Sequence, residues 1–140
     1  MAVVVEDNNE PNLLIATLPV AASRLLRILP SCRTTVPATF EEARHAIGSE
    51  RFTLAIVGVY FDGARMFELM SHLRISPLNR ACPILCVLGV RNGLPLSTVA
   101  VIRQTVNVME NCEFLDMSVL PDDERGNADL LRAIGPRVRP

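Results

Sequence analysis

The spacing of apolar residues changes repeatedly along the chain. Short unbroken apolar runs alternate with segments in which apolar residues return every third or fourth position. The first pattern reads as a strand covered on both faces, the second as an amphipathic helix. Leu54, Ala55, Ile56 and Val57 form the clearest run, within FTLAIVGVYFDG at residues 52–63. That stretch predicts a central strand opening into a loop. The MFELMSHLR segment after it predicts a helix with Met66, Leu69, Met70 and Leu73 inward, closed before Pro77.

The same reading extends in both directions. Val3 to Val5 followed by Glu6, Asp7 and Asn8 looks like a strand running into an acidic turn, and NLLIAT at 12–17 is a second strand candidate. Pro19 suits a first helical position, and Ala22, Leu25, Leu26 and Leu29 make one stripe that must stop before Pro30. Residues 33–36 are a short strand. Thr39 with Glu42 is a capping-box signature opening a helix with Phe40, Ala43 and Ile47 on one side and an end at Gly48. Pro83 leads into the apolar strand ILCVL at 84–88, and residues 89–95 are a loop. Residues 97–109 predict a helix: Val99, Ile102, Val106 and Met109 make one row, and Val101, Thr105 and Val108 widen it. Residues 113–117 are a last brief strand. The polar segment 121–129 leads to a final helix with Leu130, Leu131 and Ile134, ended by Gly135-Pro136.

The order is β-α repeated about five times, which implies an α/β fold: a doubly wound five-stranded parallel sheet with helices on both faces. The expected organisation is an N-terminal extension or extra strand at 1–11, one domain at 12–135, and a tail at 136–140.

Composition narrows the function classes. The 140 residues suit one domain able to bury roughly 68–70% of its unfolded surface. A net charge of −1 gives no reason to expect nucleic acid or an anionic membrane as partner, and no apolar stretch approaches the length of a membrane span. The start lacks the features of a signal peptide. Cys32, Cys82, Cys86 and Cys112 match neither a zinc knuckle nor a redox C-x-x-C, so a reducing cytoplasm is the expected compartment. All 14 basic residues of the Lys+Arg count are arginine, so a mechanism that needs lysine is excluded whatever the fold.

Candidate chemistry is sparse. His45 and His72 have no partner motif and read as surface or rim histidines. Glu41 and Glu42 read as helix-start charges, and Asp122, Asp123 and Glu124 as a solvated loop. Gly89 and Gly93 belong to no phosphate loop, and neither G-x-G-x-x-G nor G-x-S-x-G occurs. We find no nucleophile–base pair and expect no enzyme, no cofactor and no metal.

Five βα units at these spacings resemble the receiver domain of bacterial response regulators. The best local pieces are TFEEARHAIGSERFTLAIVGVYFDG at 39–63 and Cys82-Pro83-Ile84-Leu85. The resemblance implies a flavodoxin-like, receiver-like fold. It also implies where reactive groups should stand. The phosphoacceptor aspartate falls on Gly58, the magnesium-binding acidic pair on Ala16 and Thr17, the hydroxyl on Leu88, and the lysine on Met117. Each required group is absent. A competing register uses Glu6 and Asp7 as the acidic pair, still without the acceptor or lysine. Asp62 lies four residues past the acceptor position, in the loop.

The sequence thus resembles a pseudo-receiver, which keeps the scaffold and loses phosphorylation. The expected function is phosphorylation-independent regulation through protein contact, with a sensor kinase or regulator as partner and a homodimer as the assembly. Val99, Val101, Ile102, Thr105, Val108 and Met109 are the expected interface, because that helix is apolar around much of its circumference. The alternatives are a small doubly wound ligand-binding or enzymatic domain using the crevice at the strand ends, and a transcriptional regulator, against which the near-neutral charge argues.

Overall fold

The computed structural model describes residues 10–138. The expected Val3–Val5 strand, the Glu6/Asp7 register and the last two residues of the tail lie outside them. Five strands, β1 (Asn12–Ala16), β2 (Arg33–Thr35), β3 (Leu54–Gly58), β4 (Ile84–Leu88) and β5 (Cys112–Asp116), form one parallel sheet in the order β2-β1-β3-β4-β5. The helices are α1 (Pro19–Ile28), α2 (Phe40–Ser49), a single distorted turn α3 (Phe61–Ala64), α4 (Met66–Ile75), α5 (Leu96–Asn107) and α6 (Glu124–Val138).

The unbroken apolar runs are explained by the two layers they serve. Alternate residues of each central strand point to opposite faces. Leu14 and Ala16 of β1, with Ala55 and Val57 of β3, pack under α2, α4 and α5 against Phe40, Ile47, Met70 and Leu73. Leu13, Ile15, Leu54 and Ile56 pack under α1 and α6 against Leu25, Leu130 and Ile134. All eight strand residues are fully buried. Each such leucine or isoleucine contributes roughly 1.5–3 kcal/mol on leaving water.

Side-chain caps fix the starts of α2 and α6. Thr39 Oγ1 accepts from the Glu42 N–H at 3.1 Å, while Glu42 Oε1 accepts from the Ala38 N–H at 2.8 Å, the reciprocal pattern that the sequence predicts. Boundaries differ elsewhere. Helix α2 continues to Ser49 rather than ending at Gly48, which takes no left-handed conformation. Strand β5 lies one residue earlier than expected. Helix α6 starts before the expected residues, because Asp123 Oδ1 accepts from the Gly126 N–H at 2.8 Å and stabilises its first turn. It also runs through Gly135-Pro136 to Val138, whose buried side chain joins the α1/α6 layer.

Helices α1 and α6 are joined by a polar clasp. Arg24, itself buried, donates from Nε to Asn127 Oδ1 at 2.7 Å and from Nη2 to the Pro121 carbonyl at 2.8 Å. Asp122 accepts from Arg27 at 2.7 Å and from Asn127 at 2.8 Å, which holds its carboxyl down to about 2. Gly126 is required here: a Cβ would meet the Pro121 carbonyl oxygen at 1.9 Å.

Candidate functional site

Strand order reverses direction between β1 and β3, and the crevice at the carboxyl ends of a doubly wound sheet lies at that point. Here it is a small cavity of ≈ 80 Å³, lined by Thr17, Val20, Gly58, Tyr60, Val87 and Val90 among others. Among the described residues, none that lines it carries a carboxylate, an amine, an imidazole or a guanidinium. The Thr17 hydroxyl donates to the Leu18 carbonyl at 3.1 Å and so is committed locally. Tyr60 closes one side, its Oη–H donating to the Arg91 carbonyl at 3.1 Å.

Only part of the predicted set meets in this cavity. Gly58 and Thr17 are in contact: a Cβ at Gly58 would lie 3.2 Å from Thr17 Cα and 3.3 Å from its Cβ. Ala16 and Leu88 are fully buried in the layer beneath α2, α4 and α5. Met117 follows β5 in a 3-10 turn and is buried in the other layer, with α1 and α6. The five positions therefore surround the strand ends, but three of the side chains serve the core.

Two carboxylates near this rim have structural partners that the sequence reading did not assign. Asp62 stands in α3 with φ 44° and precedes Gly63 with φ 77°, a left-handed pair that the Asp-Gly dipeptide favours. Its Oδ2 accepts from the Phe40 N–H at 2.6 Å, so this oxygen is engaged at the start of α2. Asp116 is buried at the end of β5, where Oδ1 accepts from the Ser118 N–H at 2.9 Å and from the Ser118 hydroxyl at 2.5 Å. An aspartate two residues before a serine is a turn signal that was available in the sequence. Among the described residues, no three His, Cys, Asp or Glu side chains gather where a metal ion could sit. Burial pushes the Cys82 thiol up to about 11 and the Cys86 thiol up to about 12, leaving both protonated and inert near neutrality.

The expected interface on α5 divides into two sides. Val99 is 5% exposed and Val106 fully buried, while Ile102 and Met109 are partly buried against the same core. Val99 is therefore a core residue, corrected from the interface set, because the apolar row it shares with Val106 faces the sheet. Val101 is 59% exposed and Leu96 67%. Thr105 is exposed and its hydroxyl donates to the Val101 carbonyl at 2.8 Å. The helix stops at Asn107, which leaves Val108 just past its end and 85% exposed.

Sheet order, layering and the position of the cavity define a flavodoxin-like doubly wound domain. Within that class the fold is the receiver fold. A response regulator from Hahella chejuensis shares it with a TM-score of 0.69 and 16% identity, covering 91% of this chain and 95% of that one. The receiver domain of a sensor histidine kinase from Pseudomonas aeruginosa, with magnesium coordinated in its active-site cleft, gives 0.60 and 14%, covering 92% and 98%. A phosphorylated cyanobacterial phytochrome response regulator gives 0.61 and 11%, covering 91% and 90%. No family model and no curated protein matches the chain. No helix among the described residues is long and apolar enough to cross a membrane.

Proposed function

We propose that this is a receiver-like signalling domain that works without phosphoryl transfer, through contact with a protein partner. The observation that carries the reading is Gly58. An aspartate there would have to displace the Thr17 backbone, which lies at 3.2 Å from the position of its Cβ. Phosphoryl transfer to a carboxylate also needs a metal ion to offset the charge on the transferred group. The rim offers apolar side chains and committed hydroxyls instead. The magnesium-holding and phosphorylated neighbours have the same fold, and on this reading they differ in what fills the strand ends. Gly58, Ala16, Thr17, Leu88 and Met117 are then the vacated acceptor, acidic-pair, hydroxyl and lysine positions.

The cavity argues against the ligand-binding alternative. Sites for drug-sized ligands and cofactors occupy roughly 300–1,000 Å³, well above what is available here. The contact surface we assign is the outer side of α5, with Val101, Thr105 and Val108, facing either a kinase or regulator partner or a second copy of this chain.

Two measurements test these claims. Incubation with a small acyl phosphate and Mg²⁺ should leave the mass unchanged, both in the natural chain and in Gly58→Asp. A gain of one phosphoryl group by the natural chain defeats the proposal. Light scattering should show a dimer that Val101→Glu with Val108→Glu converts to monomer. An unaltered dimer, with circular dichroism unchanged, removes α5 from the interface.

A further inference from the structure

The opposite rim carries guanidinium groups, which the described lining of the carboxyl-end cavity does not. Between the entry to β3 and the turn at 76–82 lies an open cavity of ≈ 530 Å³, lined by Arg51, Phe52, Leu78, Arg80 and Ala81 among others. Its wall is rigid. Asn79 is 1% exposed, and its side chain is fully engaged. Oδ1 accepts from the Phe52 N–H at 2.8 Å, and Nδ2 donates to the carbonyls of Ile47 at 2.8 Å and Glu50 at 2.7 Å. The hydroxyl of Ser76 donates to the same Ile47 carbonyl at 3.0 Å.

Arg74 braces the turn. Nη1 donates to the Arg80 and Cys82 carbonyls at 3.2 and 2.8 Å, and Nη2 to the Glu110 and Asn111 carbonyls at 2.9 and 3.2 Å. These partners are neutral, so the guanidinium is hydrogen-bonded without being neutralised. Among the described residues, Arg51 and Arg80 form no ion pair either. Among the described residues, no acidic residue lines the cavity. The neighbouring Glu50 turns its carboxylate to Asn12 Nδ2 and Thr35 Oγ1, both at 3.4 Å. The N–H groups of Arg80 and Ala81 make no hydrogen bond among the described residues.

Two guanidinium charges without counter-ions among the described residues thus line one pre-formed concavity, and a third, Arg74, is bonded to the carbonyls of the turn beside it. A guanidinium is a planar fork of donors that matches the oxygens of a phosphate and keeps its charge at every physiological pH. We infer that this cavity binds a phosphate-class oxyanion. Arg51 donates from the β3 side, Arg80 and the free N–H groups donate from the turn, and Arg74 contributes its field from behind. The inference does not rest on the function proposed for the other rim and can fail without it.

The test is an amide NMR titration of the full chain with inorganic phosphate at constant ionic strength. Saturable shifts should concentrate at residues 50–53 and 78–83. Arg51→Gln with Arg80→Gln should weaken binding about tenfold or more while the rest of the spectrum persists. Arg125→Gln, at an exposed arginine with no ion pair among the described residues, should leave binding unaltered. Shifts scattered over all exposed arginines, or equal binding by the double variant, overturn the inference. A parallel titration with phenyl phosphate separates two sources. Tighter binding than inorganic phosphate points to a phosphate carried on a larger molecule, and equal binding to the free ion.

Discussion

The two ends of this sheet differ in kind. At the carboxyl end the wall of the small cavity closes through glycine and small groups: Gly58 against Thr17, and Gly89 with a Cβ position 3.0 Å from Ala21 Cβ. At the amino end it meets itself through amides and guanidiniums: Asn79 to three backbone groups and Arg74 to four carbonyls. Doubly wound folds ordinarily place their polar chemistry at the carboxyl end. The contrast teaches that the scaffold is specified by what alternates inside the strands. The rims are then free to exchange chemical character while strand order and layering persist.

The contrast can be broken most severely at Asn79. Asn79→Ala leaves the buried Phe52 N–H and the Glu50 carbonyl without their partner, and should lower unfolding free energy by about 3 kcal/mol in urea denaturation. A loss under about 1 kcal/mol would show that the amino end is not held as described. A smaller effect is expected at the carboxyl end. Gly58→Ala forces a contact of 3.2 Å on backbone and should cost roughly 1–2 kcal/mol. The control has the opposite sign. Gly48 lies inside α2 with nothing within 4 Å of its Cβ position, so Gly48→Ala should stabilise by roughly 0.5–1 kcal/mol. Equal losses at Gly58 and Gly48 would mean that close packing at the strand end plays no part.

What could be read from the sequence follows the same division. Strands β1, β3 and β4 were legible because an unbroken run such as LAIVG has few other uses in a chain of this length. The capping residues of α2 were legible because Thr39 and Glu42 act over three positions. The start of α6 was not. Its first residues are polar, the Asp123 cap gives no apolar signal, and the clasp that holds them comes from Arg24, at a separation of 103 to Asn127. That Gly58 stands at the end of β3 could be read from the run before it, and the absence of lysine from composition alone. The packing of Gly58 on Thr17 could not, since it depends on the distance between two strands. Nor could the amino-end cavity, because Arg51, Arg74 and Arg80 share no motif and are gathered only by the turn that Asn79 holds.

The clasp between α1 and α6 has a consequence for biosynthesis. The layer over Leu13, Ile15, Leu54 and Ile56 needs Leu25 from near the beginning of the described chain and Leu130, Ile134 and Val138 from near its end. A nascent polypeptide emerging from the ribosome therefore carries one half of its core uncovered until the last helix has cleared the exit tunnel. That layer is therefore the last part of the fold to close, whatever the order in which the other elements form.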